Sequence, residues 1–314
     1  MRAARLHGPG DLRVEEVPEP EGEVVVTVRA ATTCGTDLKM LRHGHPTLGA
    51  YPAAFGHETA GVREDTGERV LVGDSVPCLR CAPCLAGATH LCRAMTWVYG
   101  GFAERIGAPE AALHAIPDGL PFAAAAMAEP LAACVHAVGR GTSAKRVAVL
   151  GGGTIGLMLA RLLVLDGRDV VVVDRHPERR AQADDLGALG VERAAAPVPL
   201  VFEAVGRPEA WHAALSLAAP GGRVVMVGGC PAGDVALPAA RVHYDEVDVV
   251  GAFHHRPAEV DEALLLLSTG AVDHTAFAGP AIGLDDLPAA LLDPPWGGEA
   301  RKLVVDPTRP ARSS

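Results

Sequence analysis

The chain has 314 residues, a length that predicts roughly two domains, and 49 % of them are apolar, enough to fill two cores. Its formal net charge of −10, with no basic run anywhere, argues against nucleic acid or an anionic membrane surface as a partner. Gly, Pro or charge breaks every apolar run before membrane-spanning length, and Met1-Arg2-Ala3-Ala4-Arg5 opens no leader-like stretch, so a cytoplasmic, soluble protein is expected.

In chain order, residues 23–30 are β-branched and predict a strand, and the text up to about residue 115 stays rich in short strands, Gly and Pro. The character then changes. Apolar strand runs fall at Arg146–Leu150, Val170–Val173, Leu200–Ala204, Arg223–Val227 and Val247–Ala252. Helical stretches such as Thr154–Asp166 and Pro177–Leu186 separate several of them. Continuous apolar strands alternating with helices describe a parallel sheet covered on both faces. After Gly270 the chain is again loop-rich, and it closes on a strand at Arg301–Val305 and a loose tail. The predicted architecture is α/β: a β-rich domain interrupted by an inserted doubly wound domain.

Four of the seven cysteines form Cys78-x2-Cys81-x2-Cys84-x7-Cys92. Four thiolates on one short loop make a closed, structural zinc site, and the odd cysteine total does not suit a disulfide framework. Cys134 and Cys230 read as small core residues. A second set is dispersed: Cys34, His57, Glu58 and Glu129. Thiolate, imidazole and carboxylate together suit a zinc that keeps one position open. Taken singly, each has a plain explanation as a core cysteine, a locally satisfied histidine or a turn glutamate.

Strand Arg146–Leu150 runs into Gly151-Gly152-Gly153-Thr154-Ile155-Gly156, which opens a helix. Gly151 permits the tight turn, Gly153 lets backbone approach a pyrophosphate, and Gly156 allows close packing. Asp174 ends the next strand about 20 residues on, where a carboxylate binds a ribose 2′-hydroxyl. NAD is therefore favoured, while the adjacent Arg175 leaves NADP open.

These motifs, together with Cys34-Gly35-Thr36-Asp37, Gly56-His57-Glu58, Gly101-Phe102-Ala103-Glu104, Glu129-Pro130-Leu131 and Val201–Gly206, resemble the medium-chain dehydrogenase/reductase superfamily. Within it the chain is similar to the zinc alcohol dehydrogenase branch, Glu129-Pro130-Leu131 looking like the sorbitol and threonine dehydrogenases. The resemblance implies a GroES-like catalytic domain over 1–130 and 271–314 with a zinc lobe at 78–92, a Rossmann domain over 131–270, and a homodimer or homotetramer. It implies two zinc ions per chain. Cys34, His57, Glu58 and Glu129 would bind the catalytic ion, directly or through water in the case of the two glutamates. Thr36 would pass the substrate proton outward, Asp37 would support the histidine ligand, and Lys39, or nearby His43 and His45, would finish the relay. Thr154, Ile155, Val205, Val227, Gly228, Ala252, Phe253 and Lys302 would line the cofactor, with His254 near the substrate.

The expected activity is hydride transfer between NAD(H) and a polyol, cyclitol or sugar-derived secondary alcohol. A simple secondary alcohol or a threonine-type amino alcohol stays open, as does a silent cofactor-binding homologue. Trp97, Tyr99, Phe102 and Phe55 are the aromatic candidates for the pocket. One departure from the resemblance is structural. Between Val191 and Leu200 the chain can span the about 14 Å between strands on either side of the sheet's midline but cannot hold a crossover helix, which needs at least ~10–12 residues. A missing helix and a short or lost edge strand are predicted.

Overall fold

The computed structural model describes residues 1–229, 233–293 and 298–309; Cys230 lies outside them. It divides into two compact units: Met1–Pro130 with Arg256–Gly297 and Lys302–Ser314, and Leu131–His255 with Gly298–Arg301.

In the first unit, strand Val24–Thr32 alternates buried valines with half-exposed residues, as a strand with one face on a core must. It pairs antiparallel with Glu58–Arg63, Arg105–Ala108 and Lys302–Val305. Val24, Val26, Val28, Val70, Val72 and Ile106 form one core, and Leu6, Leu41, Phe55, Phe102, Leu287 and Leu303 belong to another. Each such side chain contributes about 1.5–3 kcal/mol on full burial. A register shift between Val28 and Ala30 bends the central strand, after which Thr32 stands opposite Glu58. That shift delivers the chain to Cys34 in register with the His57–Glu58 pair.

In the second unit, six parallel strands run in the order Leu189–Val191, Asp169–Val173, Arg146–Leu150, Val198–Glu203, Ala218–Met226 and Asp248–Gly251. This is the 3-2-1-4-5-6 order of a doubly wound sheet. Helices Thr154–Leu165, Pro177–Asp185 and Pro208–Leu217 connect strands within it. The crossover from Val191 to Val198 contains no helix, and the edge strand has only three residues, as the short connection predicts.

The unit boundaries differ from those drawn on the sequence. Helix Pro257–Ser268, placed in the Rossmann domain by the 131–270 expectation, belongs to the first unit. It buries Val260, Ala263, Leu264 and Leu267, packs against helix Phe122–Ala126, and its Asp261 meets His114 Nδ1 at 2.7 Å. Conversely, residues 298–301 join the second unit, where Gly298 O accepts from Arg179 Nε (2.9 Å) and Ala300 N donates to Gln182 Oε1 (2.8 Å). No helix of the described residues is long and apolar enough to cross a membrane.

Candidate active site and metal centres

The four-cysteine lobe is assembled. Tetrahedral coordination with Zn–S bonds of about 2.3 Å sets sulfurs about 3.8 Å apart. Cys81 Sγ lies 3.5 Å from Cys84 Sγ and 3.8 Å from Cys92 Sγ, and the ligand atoms of all four residues lie within 4.8 Å of one another. Backbone N–H groups of Cys78 and Ala94 point at Cys92 Sγ (3.2 and 3.4 Å). Backbone donors at Arg93 and Cys84 pull the Cys81 thiol down to about 6, so the thiolate form that a metal needs is stabilised locally. The residues fit a closed zinc site.

The second set lies entirely in the first unit. Cys34 precedes helix Gly35–His43, and Asp37, in its first turn, accepts from Cys34 N at 2.8 Å. The other oxygen of Asp37 is 3.0 Å from His57 Nδ1, an ion-pair distance bent away from hydrogen-bond alignment. Engaging Nδ1 leaves Nε2 for a metal. His57 is held in place by Gly56, whose φ of +90° suits glycine and whose absent Cβ would fall 2.6 Å from the Phe102 ring. The Gly56-His57-Glu58 and Gly101-Phe102 motifs are thus two halves of one contact.

Cys34, His57 and Glu58 offer ligand atoms within 4.8 Å of one another. Glu58 is fully buried and receives Lys302 Nζ on both oxygens (2.7 and 2.9 Å), with the Thr32 hydroxyl also donating to Oε2. Lys302 Nζ donates to Thr33 O as well, at 2.7 Å. Burial raises Glu58 to about 7 despite Lys302, and Glu129 adds to the rise. Burial works against charge on His57, but Asp37 and Cys34 outweigh it and hold the imidazole well above its ordinary range. The carboxylates of Asp37, Glu58 and Glu129 thus act on a site that also holds the half-buried Cys34 thiol, Lys302 and the His57 imidazole. That donor set fits a divalent cation with mixed S, N and O ligands.

Not every expected residue joins. Glu129 lies in the first turn of helix Ala128–Gly139 and is buried, but its carboxylate stands within 4.8 Å of Asp74 rather than in the Cys34–His57–Glu58 group. Lys39 is exposed and lies about 200° around its helix from the buried Asp37. Thr36 is half-buried beside Asp37. Phe55 and Phe102 are fully buried against each other, with ring centroids 5.7 Å apart, and are core residues rather than pocket walls. Tyr99 is half-buried, edge-on to His57. Lys302, expected among the cofactor residues, instead pairs with Glu58, because Val304 and Val305 pair with Thr32 and Ala31 and so bring Lys302 beside Thr33. Its signal in the sequence was rarity: it is one of three lysines, set in an apolar strand.

The remaining cofactor candidates gather at one edge of the second unit. Leu150, Val173, Glu203, Met226 and Gly251 stand in register across the parallel sheet. Gly151, Asp174, Val205, Val227, Gly228, Ala252 and Phe253 therefore fall just beyond the carboxyl ends of the strands, where such sheets bind ligands. A Cβ on Gly156 would lie 1.8 Å from Gly151 O, so the helix can approach the turn only as glycine. Helix Thr154–Leu165 has no side-chain cap at Gly153, and a Cβ there would meet open space, leaving its first N–H groups for an anion. Asp174 accepts from Gly152 N and His176 N, both at 2.8 Å, while Arg175 is exposed. Glu203, unforeseen in the sequence reading, is fully buried and accepts from Val205 N and Gly206 N at 2.8 Å, shaping the loop of this edge.

A β-rich unit bearing a thiol–imidazole–carboxylate centre, with a Rossmann unit in the same chain, defines a zinc-dependent, nicotinamide-linked dehydrogenase. Family models agree: the alcohol dehydrogenase GroES-like domain matches residues 20–118 and the zinc-binding dehydrogenase matches 154–269. A D-altritol 5-dehydrogenase of Agrobacterium fabrum is 33 % identical over 301 residues, covering 86 % of this chain and 88 % of that protein. A sorbitol dehydrogenase of Bombyx mori is 30 % identical over 349 residues, covering 96 % and 97 %. A crystal structure of a zinc-binding dehydrogenase from Sinorhizobium meliloti bound to NADP matches with a TM-score of 0.87 at 31 % identity, covering 98 % of this chain and 99 % of that one. The chain belongs to the zinc-dependent alcohol dehydrogenase branch of the medium-chain dehydrogenases.

Proposed function

We propose that this protein oxidises a secondary hydroxyl of a polyol, cyclitol or sugar-derived alcohol to a ketone, or runs the reverse reduction, with NAD(H) as hydride carrier. The observation that carries the reading is the Cys34–His57–Glu58 group, whose ligand atoms lie within 4.8 Å of one another and whose histidine is braced by Asp37. The relatives named for altritol and sorbitol support the substrate class. Asp174 favours NAD, while exposed Arg175 and the NADP-bound neighbour keep NADP in the test.

Cys34 and His57 would hold the catalytic zinc with Glu58, whose carboxylate lies within 4.8 Å of their ligand atoms, and Glu129 would reach the ion through water. When bound, zinc supplies Lewis acidity and the nicotinamide supplies the hydride site. Asp37 keeps the His57 ring oriented. Lys302 holds Glu58 beside the centre, where its charge balances the cation. Thr36 takes the substrate hydroxyl proton and passes it outward. A second zinc in the Cys78–Cys92 lobe would be structural. The assembly accompanying this reading is a cytoplasmic homodimer or homotetramer, which light scattering distinguishes.

The test is nicotinamide reduction followed by absorbance with NAD and NADP, against polyols, cyclitols, simple secondary alcohols and threonine, before and after metal removal and zinc restoration. Zinc-dependent turnover of a polyol is expected, with two zinc ions per chain. No turnover of any alcohol by a two-zinc, NAD-binding protein would overturn the proposal in favour of a silent homologue.

A further inference from the structure

His45, Thr47 and Tyr99 form a hydrogen-bonded chain beside the His57 centre, all within the first unit. His45 Nδ1 lies 3.3 Å from Thr47 N and 2.7 Å from Thr47 Oγ1, and Thr47 Oγ1 lies 2.8 Å from the Tyr99 hydroxyl. A backbone N–H can only donate, so His45 Nδ1 is the acceptor and its ring proton is on Nε2. With an unprotonated Nδ1 at 2.7 Å, the Thr47 hydroxyl spends its one proton on it. Its oxygen then accepts from Tyr99. Tyr99 is left with its proton committed to Thr47 and lone pairs still able to accept.

The ring of Tyr99 stands at 84° to that of His57 with centroids 6.3 Å apart, and the side chain is only half-buried. The ring beside the metal-ligand histidine therefore carries a phenolic oxygen that can accept but not donate. Resting on the polyol reading above, we propose that Tyr99 is a specificity-determining residue whose oxygen accepts a hydrogen bond from a second hydroxyl of the substrate, with Thr47 and His45 fixing that polarity. Such a site favours a diol over the matching mono-alcohol, because only the diol brings the extra donor. The signal in the sequence was faint: a lone tyrosine before Gly100-Gly101 and a threonine two residues after a histidine.

The experiment compares kcat/KM for butane-2,3-diol and butan-2-ol in the zinc-loaded enzyme with NAD, for the native chain, Tyr99→Phe and Thr47→Val. Circular dichroism and zinc content establish that each variant is folded and loaded. Loss of one hydrogen bond predicts that Tyr99→Phe lowers the diol-to-mono-alcohol ratio about three- to tenfold. Thr47→Val releases the Tyr99 proton and is expected to lower the same ratio by a smaller factor. A ratio unmoved by Tyr99→Phe, or a parallel fall for both alcohols, overturns the proposal and leaves the polyol reading standing. A ratio moved by Tyr99→Phe but untouched by Thr47→Val overturns the assigned polarity. A native enzyme that prefers butan-2-ol overturns the polyol reading itself, and the Tyr99 proposal with it.

Discussion

Asp37 performs two tasks with its two oxygens, one on Cys34 N and one facing His57 Nδ1. The same carboxylate therefore starts a helix and orients the proposed zinc ligand His57, which couples local folding to the centre. Asp37→Asn keeps the size and removes the charge. It is expected to weaken zinc binding 10–100-fold, measured by competition with a chromophoric chelator. Lys302 and Glu58 make a different kind of pair, since both are almost wholly buried. Removing one partner strands the other charge without solvent, at a cost of about 3–5 kcal/mol. Lys302→Met should lower the melting temperature accordingly, and Glu58→Gln in the same chain should recover much of the loss. If the double variant melts no higher than Lys302→Met alone, the pair does not account for the effect.

At the scale of elements, the 78–92 lobe has little to hold it besides its thiols. Its regular structure is the four-residue helix Ala82–Leu85 and the short turn Thr89–Leu91, and Leu79, Leu85 and Leu91 are exposed. A segment without a core depends on its cross-link for order. Cys81→Ser is expected to lower zinc content by one ion per chain by metal analysis, and to expose the lobe to limited proteolysis. An unchanged zinc content would show that three thiols suffice or that the lobe holds no zinc. Strand Val24–Thr32 illustrates the opposite case: it is pinned by three antiparallel neighbours, and its register shift decides which residues face the site.

For the molecule as a whole, the doubly wound sheet of the second unit is unequal from centre to edge. Strand Arg146–Leu150 is paired on both sides, while Leu189–Val191 is a three-residue edge followed by a crossover without a helix. Amides of 189–191 should exchange with solvent faster than those of 146–150 by orders of magnitude, as hydrogen-exchange mass spectrometry would read. Similar protection at both strands would mean that the edge is covered by something other than its own chain.

The sequence alone determined the two-part architecture, the parallel sheet and the four-cysteine lobe. Each is written in local patterns: apolar runs between helices, a glycine turn after a strand, thiols spaced on one loop. It also carried the missing crossover helix, because chain length between Val191 and Val198 is a local quantity. Tertiary structure decided what depends on distant residues meeting. Whether Lys302 faces a cofactor or Glu58 follows from the pairing of strand Lys302–Val305 with Val24–Thr32, residues far apart in the chain. The same holds for the unit boundary at His255, set by what helix Pro257–Ser268 buries, and for the burial of Phe55 and Phe102. It holds too for the polarity of Tyr99, which follows from a loop 52 residues earlier in the chain. Spacing along a chain fixes which groups an element carries, and only packing fixes which of them share a desolvated site.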